Sequence, residues 1–240
     1  MTEQTNDVIK EARELWQKTM PWPALCAPQI LQEVIIPFYS ETHRTYHNLE
    51  HVVDCIKLLD LYNDLSVADK MVLATAIWFH DVIYIPEGTA NESNSAAIAE
   101  IAILASTVVS LSPSFCKISG DINTIKRLIL ATKHDVEQKD KLCQIVCDID
   151  LAILGGTELE FRKYDIGIRH EYKNVPWNVY LAARGEVLSG FANRQSIYYT
   201  DEMRSREEQA RHNIKNWAPT YDPAIDDSEF GRSGCSTLLD

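Results

Sequence analysis

The sequence predicts an all-α protein organised around one core. Three observations carry that prediction. Apolar residues recur at helical spacing through most of the chain, capping residues and breakers punctuate these stretches, and the alternating apolar and polar runs that strands need are scarce. A chain of 240 residues lies in the range where one hydrophobic core is a common solution. With 45% hydrophobic and 24% charged residues and only 9 Gly and 9 Pro, its composition is globular rather than fibrous, disordered or membrane-embedded.

In chain order, Val8, Ala12, Leu15 and Trp16 mark a first helix. A proline-rich stretch from Pro21 to Pro28 separates it from a second around Ile30 to Phe38, which Pro37 should bend or end. A third runs from about Asn48 to Leu61, with Val52, Ile56 and Leu59 inward. Ser66 and Asp69 form a capping pair for a strongly apolar helix through Val72, Leu73, Ile77 and Phe79, ending near His80 to Ile83. After the loop Pro86 to Ala90, Asn91 is placed to cap a helix carrying Ala96, Ile98, Ile101 and Leu104. Asp121 should start the next, which ends about Lys133 and His134, and another begins near Asp140 and stops at Gly155 and Gly156. Thr157 and Glu160 read as a capping box for a further long helix, and helices over about Trp177 to Phe191 and Thr200 to Trp217 follow. The expected organisation is a helical domain over residues 1–218, with C-terminal helices at 157–217, and a flexible tail over 219–240.

The charge balance narrows the function. Against 23 Lys and Arg stand 35 Asp and Glu, a net charge of −12, which argues against a long phosphate backbone as partner and so against duplex nucleic acid. A small phosphorylated molecule stays compatible, since a pocket with a bound cation overrides the global sign. Met1 to Glu11 lacks the character of a signal peptide, and the apolar stretch Ala96 to Val109 is too short for a bilayer and contains Glu100. A cytoplasmic protein without membrane partners is therefore expected. The six cysteines read as reduced thiols; Cys143 and Cys147 share a helical face but fit core packing better than metal binding.

Several polar residues fall where a helix should be buried. His80 has Ala76, Ile77 and Ile83 one turn away, so its imidazole enters apolar surroundings and needs a partner. Asp81 follows at the end of the most hydrophobic helix, where an unpaired charge is severely penalised; a cation, or a basic residue with backbone donors, has to answer it. His47 and His51 stand four apart, a spacing that lets two imidazoles face one metal but also arises by chance. Asp148 and Asp150 compete as a further carboxylate. Asp150 has the more apolar helical neighbours, Val146, Cys147, Ile153 and Leu154, and a metal is the economical partner for it.

Taken together, the order His, His-Asp, Asp resembles the HD-domain metal-dependent phosphohydrolases. Four segments carry the likeness: Tyr46-His47-Asn48-Leu49-Glu50-His51, Trp78-Phe79-His80-Asp81, Asn91-Glu92 with Ser95-Ala96, and Asp148-Ile149-Asp150-Leu151. The core motif spans Arg44 to Leu154, and the wider run, including Ala131 to His134 and Arg169 to Tyr172, is similar to a bacterial-type subgroup of unassigned substrate. The resemblance implies that His51, His80, Asp81 and Asp150 hold the metal. The Gly-Tyr-Pro signature of the members that cleave cyclic dinucleotides is absent, as is the Glu-Asp pair of the stringent-response hydrolases.

A mixed nitrogen and oxygen ligand set of this kind suits one Mn²⁺, Fe²⁺, Co²⁺ or Mg²⁺ ion better than Zn²⁺. Such an ion lowers the pKa of a bound water from ~15.7 toward about 7. The expected activity is hydrolysis of a small phosphorylated substrate, a nucleotide or phosphomonoester. Asp81 and Glu92 are the expected catalytic pair, Glu92 as general base, and Arg44, His47, Lys133 and His134 are the candidates for holding phosphate. The alternatives are a non-catalytic sensor that binds a phosphorylated ligand through the same metal cage, and a purely structural helical protein. A homodimer is left open.

Overall fold

In a computed structural model, residues 3–20, 28–110, 115–219 and 222 are described, the side chains of 3, 4 and 106–120 excepted. Residues 21–27 of the proline-rich stretch, Cys235 and nearly all of the expected tail lie outside them, as does the side chain of Cys116. The described residues form helices and connecting turns with no strand. In order these are α1 (Glu3–Thr19), α2 (Pro28–Ile30), α3 (Ile36–Tyr39), α4 (Leu49–Leu58), α5 (Val67–Phe79) and α6 (Asn91–Ser110). Then come α7 (Phe115–Ala131), α8 (Lys141–Asp150), α9 (Glu158–Glu171), α10 (Trp177–Ala192), α11 (Asp201–Arg204) and α12 (Glu207–Lys215).

The most apolar helix is the central one. Every side chain of α5 from Val72 to Phe79 is buried, and α1, α4, α6, α7 and α8 all pack on it. A helix that is hydrophobic all round has no face to give to water, so it must be enclosed. Trp78 meets Trp16 of α1 edge to face, with ring centroids 5.2 Å apart. This buried axis delivers its C-terminal residues, His80 and Asp81, to the middle of the molecule.

The caps hold the flanking helices in register. Asn48 accepts from the backbone N–H groups of Glu50 and His51 and starts α4 just ahead of His51. Ser66 caps α5, Asp140 caps α8, and Thr157 with Glu160 forms the expected capping box of α9. A 3-10 turn over Leu151–Gly155 closes α8, with Gly156 as its cap.

Four boundaries differ from expectation. Pro37 does not end its helix: α2 leads into a π-helical turn, Leu31–Ile35, and α3 continues through Pro37. The wider turn, in which Ile36 N–H donates to Leu31 O, makes room for the ring that would clash with an α-helical carbonyl four residues back. Asn91 does not cap α6 but staples the preceding loop, its side chain bonded to both Ile85 N and Ile85 O. Asp121 lies inside α7, which begins six residues earlier at Phe115, whereas the apolar periodicity read from the sequence starts only at Ile122. The stretch Thr200 to Trp217 is two helices, α11 and α12, broken near Arg206, where the Glu207 carboxylate turns back to accept from Ile197 N and Tyr198 N at 3.0 to 3.1 Å.

Candidate metal centre

Three elements converge on one point: α4 brings His51, the turn after α5 brings His80 and Asp81, and the last residue of α8 brings Asp150. His51 Nε2 lies 3.2 Å from His80 Nε2 and 3.3 Å from Asp150 Oδ1. His80 Nε2 lies 3.1 Å from Asp81 Oδ2 and 3.4 Å from Asp150 Oδ1, while His51 Nε2 and Asp81 Oδ2 are 4.0 Å apart. Donors bound at ~2.1 Å to one ion sit ~3.0 Å apart at right angles and ~4.2 Å apart across it, so these separations fit a shared cation.

The tautomers agree with that fit. His80 Nδ1 donates to Ile77 O at 2.8 Å, which leaves Nε2 as the nitrogen that faces His51 Nε2 and the carboxylates, protonated without a metal and available as a ligand once that proton is lost. Two imidazole nitrogens cannot face each other at that distance without a proton or a metal between them. Burial alone would depress the His80 pKa, yet the Asp81 charge and hydrogen bonds to Asp150 and Asp81 raise it well above the usual imidazole value. Burial would raise the Asp81 carboxyl, but His80 outweighs it and holds it down at about 2. Asp150 is likewise lowered against its burial by hydrogen bonds from His134, His51 and His80. Carboxylates kept ionised in the interior around paired imidazoles are the donor chemistry of a divalent cation.

Cys55, one turn beyond His51 on α4, completes a second triad with His51 and Asp150. Its Sγ is 3.8 Å from both ring nitrogens of His51. Burial, with the nearby Asp150 charge, raises the thiol well above its ordinary range, so it stays protonated and fits the set less well than the oxygen donors. Cys143 and Cys147 are buried, free thiols, in keeping with a core role.

A pocket of about 160 Å³ opens beside the cluster, lined by Tyr46, His47, Asp81, Tyr84, Glu92 and His134 among others. His134 donates from Nε2 to Asp150 Oδ2 at 2.8 Å and so fixes the direction in which that carboxylate points. Its φ of +58° makes it the one described non-glycine residue with a left-handed backbone. That conformation is uncommon, and a chain that holds it here aims the imidazole into the site.

His47 is positioned from far along the chain. Glu171, at the end of α9, accepts through Oε1 from the backbone N–H groups of Thr45, Tyr46 and His47 at 2.8 to 2.9 Å, and its Oε2 is 2.7 Å from His47 Nδ1. Burial works against both charges of this pair, but their mutual attraction raises the His47 pKa and lowers that of Glu171. The close approach of α9 depends on Gly167, where an added Cβ would meet the Tyr46 Cβ at 3.1 Å.

The expected site residues thus separate. His51, His80, Asp81 and Asp150 come together, and His47, Glu92 and His134 line the same pocket. Arg44 and Lys133 do not line it. The Arg44 guanidinium is buried among Glu41 and the carbonyls of His47, Asp81 and Val82, where it ties the turn after α5 to the start of α4. The Lys133 ammonium pairs outward with Asp135 at 3.1 Å, both about half exposed. Asp148, the competing carboxylate, is turned away from the cluster and fully buried, accepting from Tyr199 N, Thr200 N and Thr200 Oγ1. Glu171 and Cys55 are the site residues that sequence reasoning misses; the His51 to Cys55 spacing of four is a local hint, whereas nothing near His47 in sequence points to Glu171.

Comparison with family models, with curated proteins and with solved structures returned no match.

Proposed function

We propose that this protein is a metal-dependent phosphohydrolase acting on small phosphomonoesters, in line with its resemblance to the HD-domain enzymes. The observation that carries the reading is the convergence of His51, His80, Asp81 and Asp150 donor atoms at 3.1 to 4.0 Å beside an accessible pocket. A divalent ion held by these four residues supplies positive charge next to the phosphoryl oxygens and acidifies a bound water.

The chain's own groups divide the remaining work. Glu92, in the first turn of α6 and on the pocket wall, accepts the proton of the attacking water. His47, biased toward its charged form by Glu171, donates to a phosphate oxygen. His134 keeps the Asp150 carboxylate aimed at the ion.

Pocket size and charge favour a monophosphate. About 160 Å³ admits a phosphoryl group and little more, against the 300 to 1,000 Å³ typical of pockets that enclose whole small molecules. No Lys or Arg stands among the described lining residues to neutralise a di- or triphosphate, whereas Tyr46, Tyr84, Tyr164 and Phe191 offer aromatic walls to the organic part.

The test is phosphate release from nucleoside mono-, di- and triphosphates and simple phosphate esters, with Mn²⁺, Fe²⁺, Co²⁺ or Mg²⁺ supplied, comparing wild type with Asp81→Ala. Release from the monophosphates by wild type and none by the variant is expected. Wild type that retains metal and releases phosphate from none of them would instead act as a non-catalytic binder. Protein that retains no metal after loading and dialysis would be left with a structural role only.

A further inference from the structure

A second, larger cavity lies on the other side of α9, between that helix, the start of α10 and the end of α12. It encloses about 660 Å³ and is lined by the rings of Phe161, Trp177, Tyr180 and Trp217 together with Arg162 and Arg169. Helix α9 is the wall between the two spaces, carrying Tyr164 to the metal-centre pocket and Phe161, Asp165 and Arg169 to this one.

Arg169 is built as a receptor. It is 3% exposed, and its Nη1 donates to Tyr172 O at 2.6 Å and Val175 O at 3.0 Å. Its guanidinium carbon lies 4.9 Å from the Tyr180 ring centroid and 5.4 Å from that of Trp177. These contacts fix the plane and leave the edge formed by Nε and Nη2. That edge grips the Asp222 carboxylate through two hydrogen bonds of 2.7 Å each. Asp222 lies beyond α12, 53 residues along the chain from Arg169. Bidentate recognition of this kind reads the planar carboxylate group and not the residue that bears it.

Two further polar groups of the cavity wall are answered inside the protein, while the Tyr180 hydroxyl has no hydrogen-bond partner among the described residues. Asp165 accepts from Arg184 Nε at 3.0 Å and Trp217 Nε1 at 2.7 Å, and the Asn213 amide donates to Leu154 O and Gly156 O. What the cavity offers a visitor is aromatic surface, with a carboxylate fork at its edge.

We propose that this cavity is a binding site for a small planar aromatic carboxylate, whose carboxylate replaces that of Asp222 on Arg169 while its ring lies among Trp177, Tyr180 and Trp217. Asp222 is the resident competitor that any such ligand displaces. The volume falls within the 300 to 1,000 Å³ typical of small-molecule pockets. The proposal is independent of whether the metal centre hydrolyses phosphate esters.

The experiment is isothermal titration of the full chain with 2-naphthoate, using the neutral 2-naphthamide as a matched probe. Saturable binding of 2-naphthoate is expected, tightened about tenfold, or about 1.4 kcal/mol, by Asp222→Asn because the competing charge is gone. The amide should bind more weakly and ignore Asp222→Asn. Arg169→Lys, which removes the planar fork but keeps a positive charge, should narrow the difference between the two probes. Asp222→Asn leaves the metal centre untouched, so the change separates binding at Arg169 from a carboxylate held by an ion in the other pocket. Equal 2-naphthoate affinity in wild type and Asp222→Asn, or no saturable binding to either at millimolar concentration, overturns the proposal. Neither of these outcomes depends on Arg169→Lys folding.

Discussion

Asp148 and Asp150 stand two residues apart in the last turn of α8, and the regions they enter behave in opposite ways. Around Asp148 the protein supplies what the carboxylate needs: two backbone N–H groups and a hydroxyl from Tyr199 and Thr200, at 2.7 to 3.0 Å. Around Asp150 it supplies, among the described residues, only the imidazoles of His51, His80 and His134, at 2.8 to 3.4 Å. The first arrangement is closed and ties the loop before α11 to the core. The second could hold a cation. Burial of an acid is therefore no guide to ligand binding by itself; what decides is whether the surrounding donors belong to the protein's own backbone.

Exchanging the two roles by mutation gives the largest expected effect. Asp150→Asn should lower metal affinity by more than the 10- to 100-fold typical of losing an outer-shell group, read as metal content after gel filtration. Asp148→Ala should keep its metal but lose about 2 to 3 kcal/mol of stability in a urea titration, because buried N–H groups are left unpaired. Loss of metal from the Asp148 variant with stability intact would reverse the assignment of the two carboxylates.

A smaller loss is expected at His134. Replacement by Gly keeps the left-handed backbone free of strain, so the outcome reports the imidazole alone. Metal affinity should fall about tenfold, within the range for groups that orient a ligand. Unchanged affinity would mean that Asp150 needs no such guide.

The smallest effect is a pH dependence at the His47–Glu171 pair. Because Glu171 is lowered in the folded state, its contribution is present above the unfolded value of about 4.3 and fades as pH falls through the folded one. Because His47 is raised, its contribution is complete below about 6.5 and fades as pH rises through the folded value. The difference in melting temperature between metal-free wild type and Glu171→Gln should therefore be widest between about pH 4.3 and 6.5. A difference independent of pH would show that Glu171 acts only through its backbone hydrogen bonds.

Local signals reveal most of the helices and the four convergent donors, for reasons that can be traced. Asn48, Ser66, Asp140 and Thr157 bond to backbone within three residues of themselves, so their capping is written in the adjacent chain. His80 and Asp81 stand out because they end a helix too apolar to lie at a surface. The preference for Asp150 over Asp148 rests on apolar neighbours, and here the residue with the less apolar neighbours is the more buried one. Periodicity identifies a buried helix but not how the final turn of α8 is shared between the loop at Tyr199 and the cluster at His51. Arg44 and Lys133 are near the ligand helices in sequence, yet one is enclosed by carbonyls and the other faces solvent.

By itself the sequence determined an all-helical chain, its main caps, and the presence of imidazoles and carboxylates in positions that water could not serve, because these follow from interactions a few residues in range. Tertiary structure alone decided that Glu171 braces His47 across 124 positions, that Asn91 staples a loop instead of capping α6, and that Asp222 rests on Arg169. Contacts of that kind depend on which helix faces which, and the hydrophobic pattern of one segment carries no record of its distant partner.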